Sequence, residues 1–161
     1  MPSAAMTAAS RVRWCANWAN GSTALGFAIA RLGRARMTKG PRGLYLAGGY
    51  RFGFPVAGAF TVGNVVVSKG DWNDLQLEHP LLVTHEEQHS WQYVVCGGLP
   101  FIPLYVGALA WSWVRTGDFA SRNVFERNAG LAMGGYHERS VRSLGDALRS
   151  LRPSGRMSAA G

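Results

Sequence analysis

Hydrophobic and polar positions change their spacing part-way along this chain of 161 residues. Residues 43–69 contain two short runs rich in β-branched and aromatic residues, 43–47 and 59–68, with glycines and a proline between them. These runs predict a hairpin or a small antiparallel sheet. After residue 80 the apolar positions recur at helical spacing. We therefore expect an α+β fold in which a small antiparallel β-sheet precedes a helical bundle.

Apart from the uncharged stretch 97–114, three helices are predicted in the second half of the chain. The first covers 80–96, because a proline suits a first helical turn and Gly97-Gly98 suits a helix end. The second covers 124–139, with Gly134-Gly135 as a break, and a short basic helix follows over 140–151.

The stretch 97–114 contains no charged residue. Its eighteen residues reach the lower limit of a membrane span, but Pro100 and Pro103 interrupt the run. We favour a buried core helix that starts near Pro103. A membrane-dipping hairpin or a surface helix is the alternative.

The N-terminal part of the chain is basic. Residues 1–70 contain nine Lys or Arg and no acid, in a chain of net charge +8. No basic run alternates with stacking aromatics, which argues against a nucleic-acid partner and leaves membrane-surface association open. The apolar stretch 23–30 is short and has no cleavage site, so it is a poor secretory signal. The compartment stays open between cytoplasm and membrane.

The same pattern divides the chain into three parts. Residues 1–36 are expected to be a basic segment that is flexible, lies on a membrane surface, or precedes a native start at Met37. A single domain follows over 37–152, large enough to bury a core of its own. A disordered tail over 153–161 ends the chain.

One helical turn carries the strongest chemical signal, His85-Glu86-Glu87-Gln88-His89. Residues four apart lie on one face of a helix, so His85 and His89 can bind one zinc ion together. A glutamate that follows the first histidine can act as a base toward water at the metal. The spacing predicts a zinc site with Glu86 as the catalytic base. Glu87 faces away from the metal and is expected to be solvated.

A catalytic zinc site also needs a third protein ligand. Glu126, on the second predicted helix, is the preferred candidate, because its carboxylate would complete a His2Glu set. His137 is the other candidate, but a straight helix would place it about 16 Å from Glu126. His79 is expected to be a cap or a surface residue.

The motif followed by a helical glutamate resembles the gluzincin branch of the zincin metallopeptidases. The pattern over about 60–130 is also similar to that of small bacterial zincin-like proteins. Its elements read His89-Ser90-Trp91-Gln92, a diglycine, an apolar helix over 101–114, and Phe125-Glu126-Arg127-Asn128-Ala129. The later glycine of the metzincins is absent, and so is the Asn-Glu-x-x-Ser-Asp pattern of the larger gluzincins.

The resemblance implies a zinc-dependent hydrolase, a metallopeptidase acting on a peptide or protein substrate. His85, His89 and Glu126 would bind zinc, and Glu86 would be the base. An extended substrate would pair with an edge strand formed by 59–68. A transition-state stabiliser is also needed, and the residues with suitable chemistry are Tyr136, His137 and Tyr93.

Two other hypotheses stay open. The short chain leaves little room for a separate substrate-binding part, which favours a zincin-like metal-binding scaffold without proteolytic activity. The uncharged run 97–114 and the basic N-terminal part favour a membrane-associated protein whose histidines are incidental.

Overall fold

Six α-helices and four β-strands make up the part of the chain that the structure describes. A computed structural model of the protein describes residues 5–55, 57–143, 145–146 and 149. The helices are α1 (Ala8–Ala19), α2 (Ser22–Leu32), α3 (Trp72–Glu78), α4 (Leu82–Val95), α5 (Phe101–Thr116) and α6 (Val124–Ala129). The strands are β1 (Arg36–Lys39), β2 (Tyr45–Gly48), β3 (Ala59–Val62) and β4 (Val65–Ser68). The α+β class is confirmed, although two helices precede the sheet.

The strands form one sheet in the order β1-β2-β4-β3. The run 59–68 was expected to be a single strand, but the chain turns at Gly63 (φ +63°) and the run forms the hairpin of β3 and β4, with Phe60 opposite Val67. β1 is antiparallel to β2. The expectation of a purely antiparallel sheet is wrong, because β2 and β4 are parallel. All four residues of β4 are buried, and a strand buried on both faces is typical of the inside of a sheet. β3 therefore lies at an edge.

Helices cover both faces of this sheet. Val65 and Val67 pack with Ala30 of α2 in one hydrophobic cluster. Val66 points the other way and packs with Val83 of α4 in a second cluster. The alternation of side chains along β4 thus joins the N-terminal helices to the motif helix through the sheet.

The N-terminal segment belongs to the folded unit from α1 onwards. The side chain of Thr7 caps α1 by accepting a hydrogen bond from the amide of Ser10. Arg13 of α1 is completely buried. Within the described part of 1–36, α1 and α2 pack against the rest of the fold.

The motif helix lies close to its predicted position. α4 covers Leu82–Val95, within the predicted range 80–96. Gly97 and Gly98 follow it with φ values of +74° and +97°, the left-handed conformation that ends helices.

α6 is shorter than the helix predicted over 124–139. Gly130, with φ +91°, ends it after Ala129, before the diglycine at which the break was expected. A single turn of 3-10 helix follows over Leu131–Gly134. The helix predicted over 140–151 lies largely outside the described residues, as does the tail 153–161.

α5 is not the buried core helix that its uncharged sequence suggested. It begins at Phe101, and only Phe101 and Ser112 among its residues are buried. Leu104 is 53% exposed and Val106 is 56% exposed. Apolar composition shows that a helix favours burial, but it does not show whether another element of the fold packs against that helix. Among the described residues, no helix is both long and apolar enough to span a bilayer.

Candidate metal centre

Three side chains from two helices meet at one buried point. The Nε2 atoms of His85 and His89, on α4, lie 3.1 Å apart. Glu126 of α6 places Oε2 3.2 Å from His85 Nε2 and Oε1 3.5 Å from His89 Nε2. Tetrahedral zinc with bonds of about 2.0–2.1 Å holds neighbouring ligand atoms about 3.3 Å apart. The three side chains predicted as ligands could therefore hold one metal ion.

Hydrogen bonds on the far side of each imidazole fix its orientation. His85 Nδ1 lies 3.1 Å from the carbonyl oxygen of Gly130. His89 Nδ1 lies 2.8 Å from Oε1 of Gln92, whose amide nitrogen donates to two oxygens of α6. Both partners can only accept, so each neutral imidazole carries its proton on Nδ1. Each Nε2 then presents a lone pair to the common point.

Three groups that all present electron pairs to one point need a cation between them. Oε2 of Glu126 is buried and makes no hydrogen bond within the described part of the chain. Burial would lower the pKa of His89, but contact with Glu126 and the charge of Glu86 raise it to about 9. Burial would raise the pKa of Glu126, but the two histidines hold it well below its usual range. A proton or a metal ion can supply the positive charge, and the unpaired Oε2 fits a metal ligand.

Glu86 is held beside these ligands by the sheet. Thr61 of β3 donates a hydrogen bond of 2.6 Å from Oγ1 to Glu86 Oε2. Glu86 is buried on the same helix as His85 and His89, and its charge contributes to the raised pKa values of His89 and Tyr136. The edge strand thus orients the proposed base, a contact that sequence reasoning missed.

Tyr105 of α5 is a second group that sequence reasoning missed. Its hydroxyl donates a hydrogen bond to Glu126 Oε1, and its ring packs edge-on against His89 with centroids 5.8 Å apart. Burial and the charge of Glu126 raise the pKa of Tyr105, so its hydroxyl stays a donor. Tyr105 lies one helical turn after Phe101, on the same face of α5. It could have been predicted as a contact of the centre only if that face had been known to point inward.

Of the three candidate stabilisers, the structure places one at the cluster. The ring centroid of Tyr136 lies 6.0 Å from that of His85, and burial and the charges of three carboxylates, Glu126 first, raise its pKa. His137 is exposed and lies outside the group of His85, His89 and Glu126. Tyr93 is buried in a hydrophobic cluster. α6 ends before Gly130, where the chain turns. This turn explains why Tyr136 lies near His85 although no continuous helix reaches it.

Gly134 packs directly against His85. A Cβ at this position would lie 2.7 Å from His85 Nε2 and 2.9 Å from Cε2 of Tyr136. The 3-10 turn that follows α6 therefore covers one side of the cluster only because residue 134 has no side chain.

The opposite face of α4 is anchored by buried polar contacts. Glu87 was expected to be solvated, but it is buried and pairs with Arg13 at 3.3 Å and with Arg42. Arg13 also donates hydrogen bonds of 2.8 Å to Asn64 Oδ1 and Ser90 Oγ. The other nearby histidine, His79, is exposed and follows α3 as its C-cap, as predicted.

Comparisons with protein-family models, with curated proteins and with solved structures gave no match to this chain. The resemblance to gluzincins thus depends on the motif, its helix and the following glutamate. Within the described residues, His85, His89 and Glu126 form the single group of three or more side chains able to hold a metal ion.

Proposed function

We propose that this chain is a zinc-dependent hydrolase, and more narrowly a peptidase, with Glu86 as its general base. The observation that supports this most is that His85 and His89 of α4 meet Glu126 of α6, while α4 also carries Glu86 next to His85. A His2Glu set is typical of catalytic zinc, whereas structural zinc sites are closed four-ligand sites, usually rich in cysteine. A purely structural site would also have no need of Glu86.

The residues of the centre have distinct tasks in this proposal. Zinc, when bound, would supply a Lewis acid that activates water and polarises a carbonyl group. Glu86, oriented by Thr61, would accept a proton from the attacking water and pass it to the leaving amine. Tyr136, kept protonated by its raised pKa, would donate a hydrogen bond to the oxyanion that develops on the substrate. Tyr105 would hold Glu126 in its ligand position.

The proposed substrate is a peptide segment in extended conformation. β3 lies at an edge of the sheet, and its Thr61 contacts the base. A substrate strand that pairs with the outer edge of β3 would pass beside Glu86. Of the expected strand 59–68, only β3 lies at the edge, because β4 is inside the sheet.

A metal-binding scaffold without hydrolysis is the second candidate, and the burial of the centre favours it. Glu126 is 1% exposed, His85 2% and His89 6%. Tyr105 and Gly134 cover the cluster from α5 and from the 3-10 turn. A peptidase with this architecture has to open one of these covers to admit a substrate.

Metal content and hydrolysis, measured side by side, test the proposal. We expect about one zinc per chain by plasma mass spectrometry in the wild type and in Glu86→Gln, and none in His85→Ala or Glu126→Ala. Cleavage of a mixed peptide library should fall by about 10²–10⁴-fold in Glu86→Gln, the usual contribution of a general base. Glu78→Gln, at an exposed position of α3, is the matched control and should change neither quantity.

Each other result has a definite meaning. Zinc without cleavage in the wild type would select the scaffold. Equal cleavage by the wild type and Glu86→Gln would remove Glu86 from the mechanism. A wild-type protein that takes up no zinc would end both proposals.

A further inference from the structure

α5 shows the reverse of the pattern expected for a surface helix. Its inward positions, Phe101, Tyr105 and Ser112, recur at helical spacing, and no residue before Arg115 is charged. A surface helix normally presents charged and polar residues to water. The large apolar side chains that α5 exposes instead are Ile102, Leu104, Val106, Trp111 and Trp113. Such a face requires an apolar partner.

Arginines surround the C-terminal end of this face. Arg115 and Arg122 line a surface hollow of about 300 Å³ together with Trp111 and Val141, and Arg142 contacts the end of α5. Within the described residues, these three arginines form no ion pair. Arg115 Nε is buried there without a hydrogen-bond partner. The hollow therefore has the chemistry to bind an anion.

We propose that the exposed face of α5 and these arginines dock the protein on a bilayer that contains anionic phospholipid. The apolar side chains would enter the boundary between headgroups and acyl chains, and the guanidinium groups would bind lipid phosphates. Trp111 and Trp113 have the amphipathic rings that favour this depth. Tyr105 keeps the inner side of α5 packed on the protein, so the helix lies along the membrane surface.

Charge favours a lipid surface over a second copy of the chain as the partner. A second copy would bring the same arginines and the same net charge of +8, and like charges oppose self-association. An anionic bilayer complements both the apolar face and the arginines.

Docking through α5 would bring the bilayer close to the metal centre, because Tyr105 contacts Glu126 from the same helix. The docking proposal depends on neither zinc nor hydrolysis, since the exposed face and the arginines are present without them. The two proposals can therefore fail separately.

Vesicle co-sedimentation of the full chain tests this proposal. We expect tighter binding to vesicles of phosphatidylcholine with phosphatidylglycerol than to phosphatidylcholine alone. Leu104→Glu should weaken the binding about tenfold or more, because it removes a leucine from the apolar contact. Leu77→Glu is the matched control, since Leu77 is 80% exposed on α3, and it should bind like the wild type.

The arginines have their own test. Arg122→Gln should weaken binding to the anionic vesicles about fivefold and leave binding to phosphatidylcholine alone unchanged. Arg11→Gln, at an exposed position of α1, should have a smaller effect. Circular dichroism of each variant would verify that the fold is retained.

Three results would overturn the proposal. One is absence of binding to either kind of vesicle. Another is equal loss of binding in Leu104→Glu and Leu77→Glu. The third is a dimer in light scattering that Leu104→Glu dissociates, which would assign the face to a second copy.

Discussion

At the residue scale, the candidate centre depends on side chains that do not provide ligand atoms. Gln92 is the clearest case, because it accepts from His89 Nδ1 and donates to two oxygens of α6. One amide group thus fixes the direction of a candidate ligand and connects the two helices that supply all three candidate ligands. Such contacts commonly change metal affinity by about 10–100-fold.

Replacing Gln92 with methionine should therefore weaken zinc binding by about 10–100-fold. Methionine has a similar length but lacks the oxygen that holds the imidazole of His89. Competition against a chelating dye would measure the dissociation constant. Gln88→Met is the matched control, because Gln88 lies on the same helix and its side chain makes no hydrogen bond within the described residues. Equal affinities for the two variants would contradict a role of Gln92 in holding the ligand.

The position of a side chain could be predicted from the sequence where it follows from local spacing. It could not be predicted where it depends on a partner far away in the chain. His85 and His89 were predictable because four residues make about one helical turn. Glu87 was placed in solvent because its partner Arg13 lies 74 positions earlier in the chain. Thr61 was missed for the same reason, since its contact with Glu86 joins a strand to a helix.

At the element scale, α4 is held on three sides. Its ligand face meets α6, its Glu86 meets β3, and its opposite face meets α1 through Arg13 and Glu87. The geometry of the centre therefore depends on a helix close to the N-terminus that contributes no ligand. Burial lowers the pKa of Arg13, and the charge of Glu87 opposes this change.

We expect Arg13→Leu to lower the free energy of unfolding by about 3–5 kcal/mol, the usual cost of removing one partner from a buried ion pair. The change removes the Arg13 donor from Asn64 and Ser90, which then accept only from weaker neighbours such as Asn17, and leaves Glu87 with Arg42 alone. Urea unfolding would measure it. Arg11→Leu, two residues away and exposed, should stay within about 0.5 kcal/mol of the wild type. A similar loss in both variants would show that α1 is stabilised by its helix rather than by the Arg13 contacts.

A helix or strand could be predicted where its own residues determine its structure. The motif helix and the glycine stop after it follow from their own residues, whereas the turn at Gly63 that divides 59–68 into β3 and β4 was missed. The parallel pairing of β2 with β4 joins segments about 20 residues apart in register, which no local pattern specifies. The exposure of α5 was not predictable either, because composition cannot tell whether a neighbouring element covers an apolar face.

At the scale of the whole molecule, the proposed ion would join parts of the chain that are far apart in sequence. α4 supplies two of the candidate ligands and α6 supplies the third. α5 lies between these helices in the chain and contacts the third candidate, Glu126, through Tyr105. A cation at this point would connect the sheet-packed half of the fold to the exposed helix. Its effect should therefore extend to the stability of the whole fold.

Zinc should raise the free energy of unfolding of the wild-type protein by about 2.7 kcal/mol when free zinc is 100 times its dissociation constant. The reason is that the folded state assembles three ligands that the unfolded chain keeps apart. Urea unfolding with zinc and with a chelator would measure the difference. Magnesium should have little effect, because it prefers oxygen ligands. His89→Ala should lose most of the zinc effect, and an equal gain in that variant would place the bound zinc outside this centre.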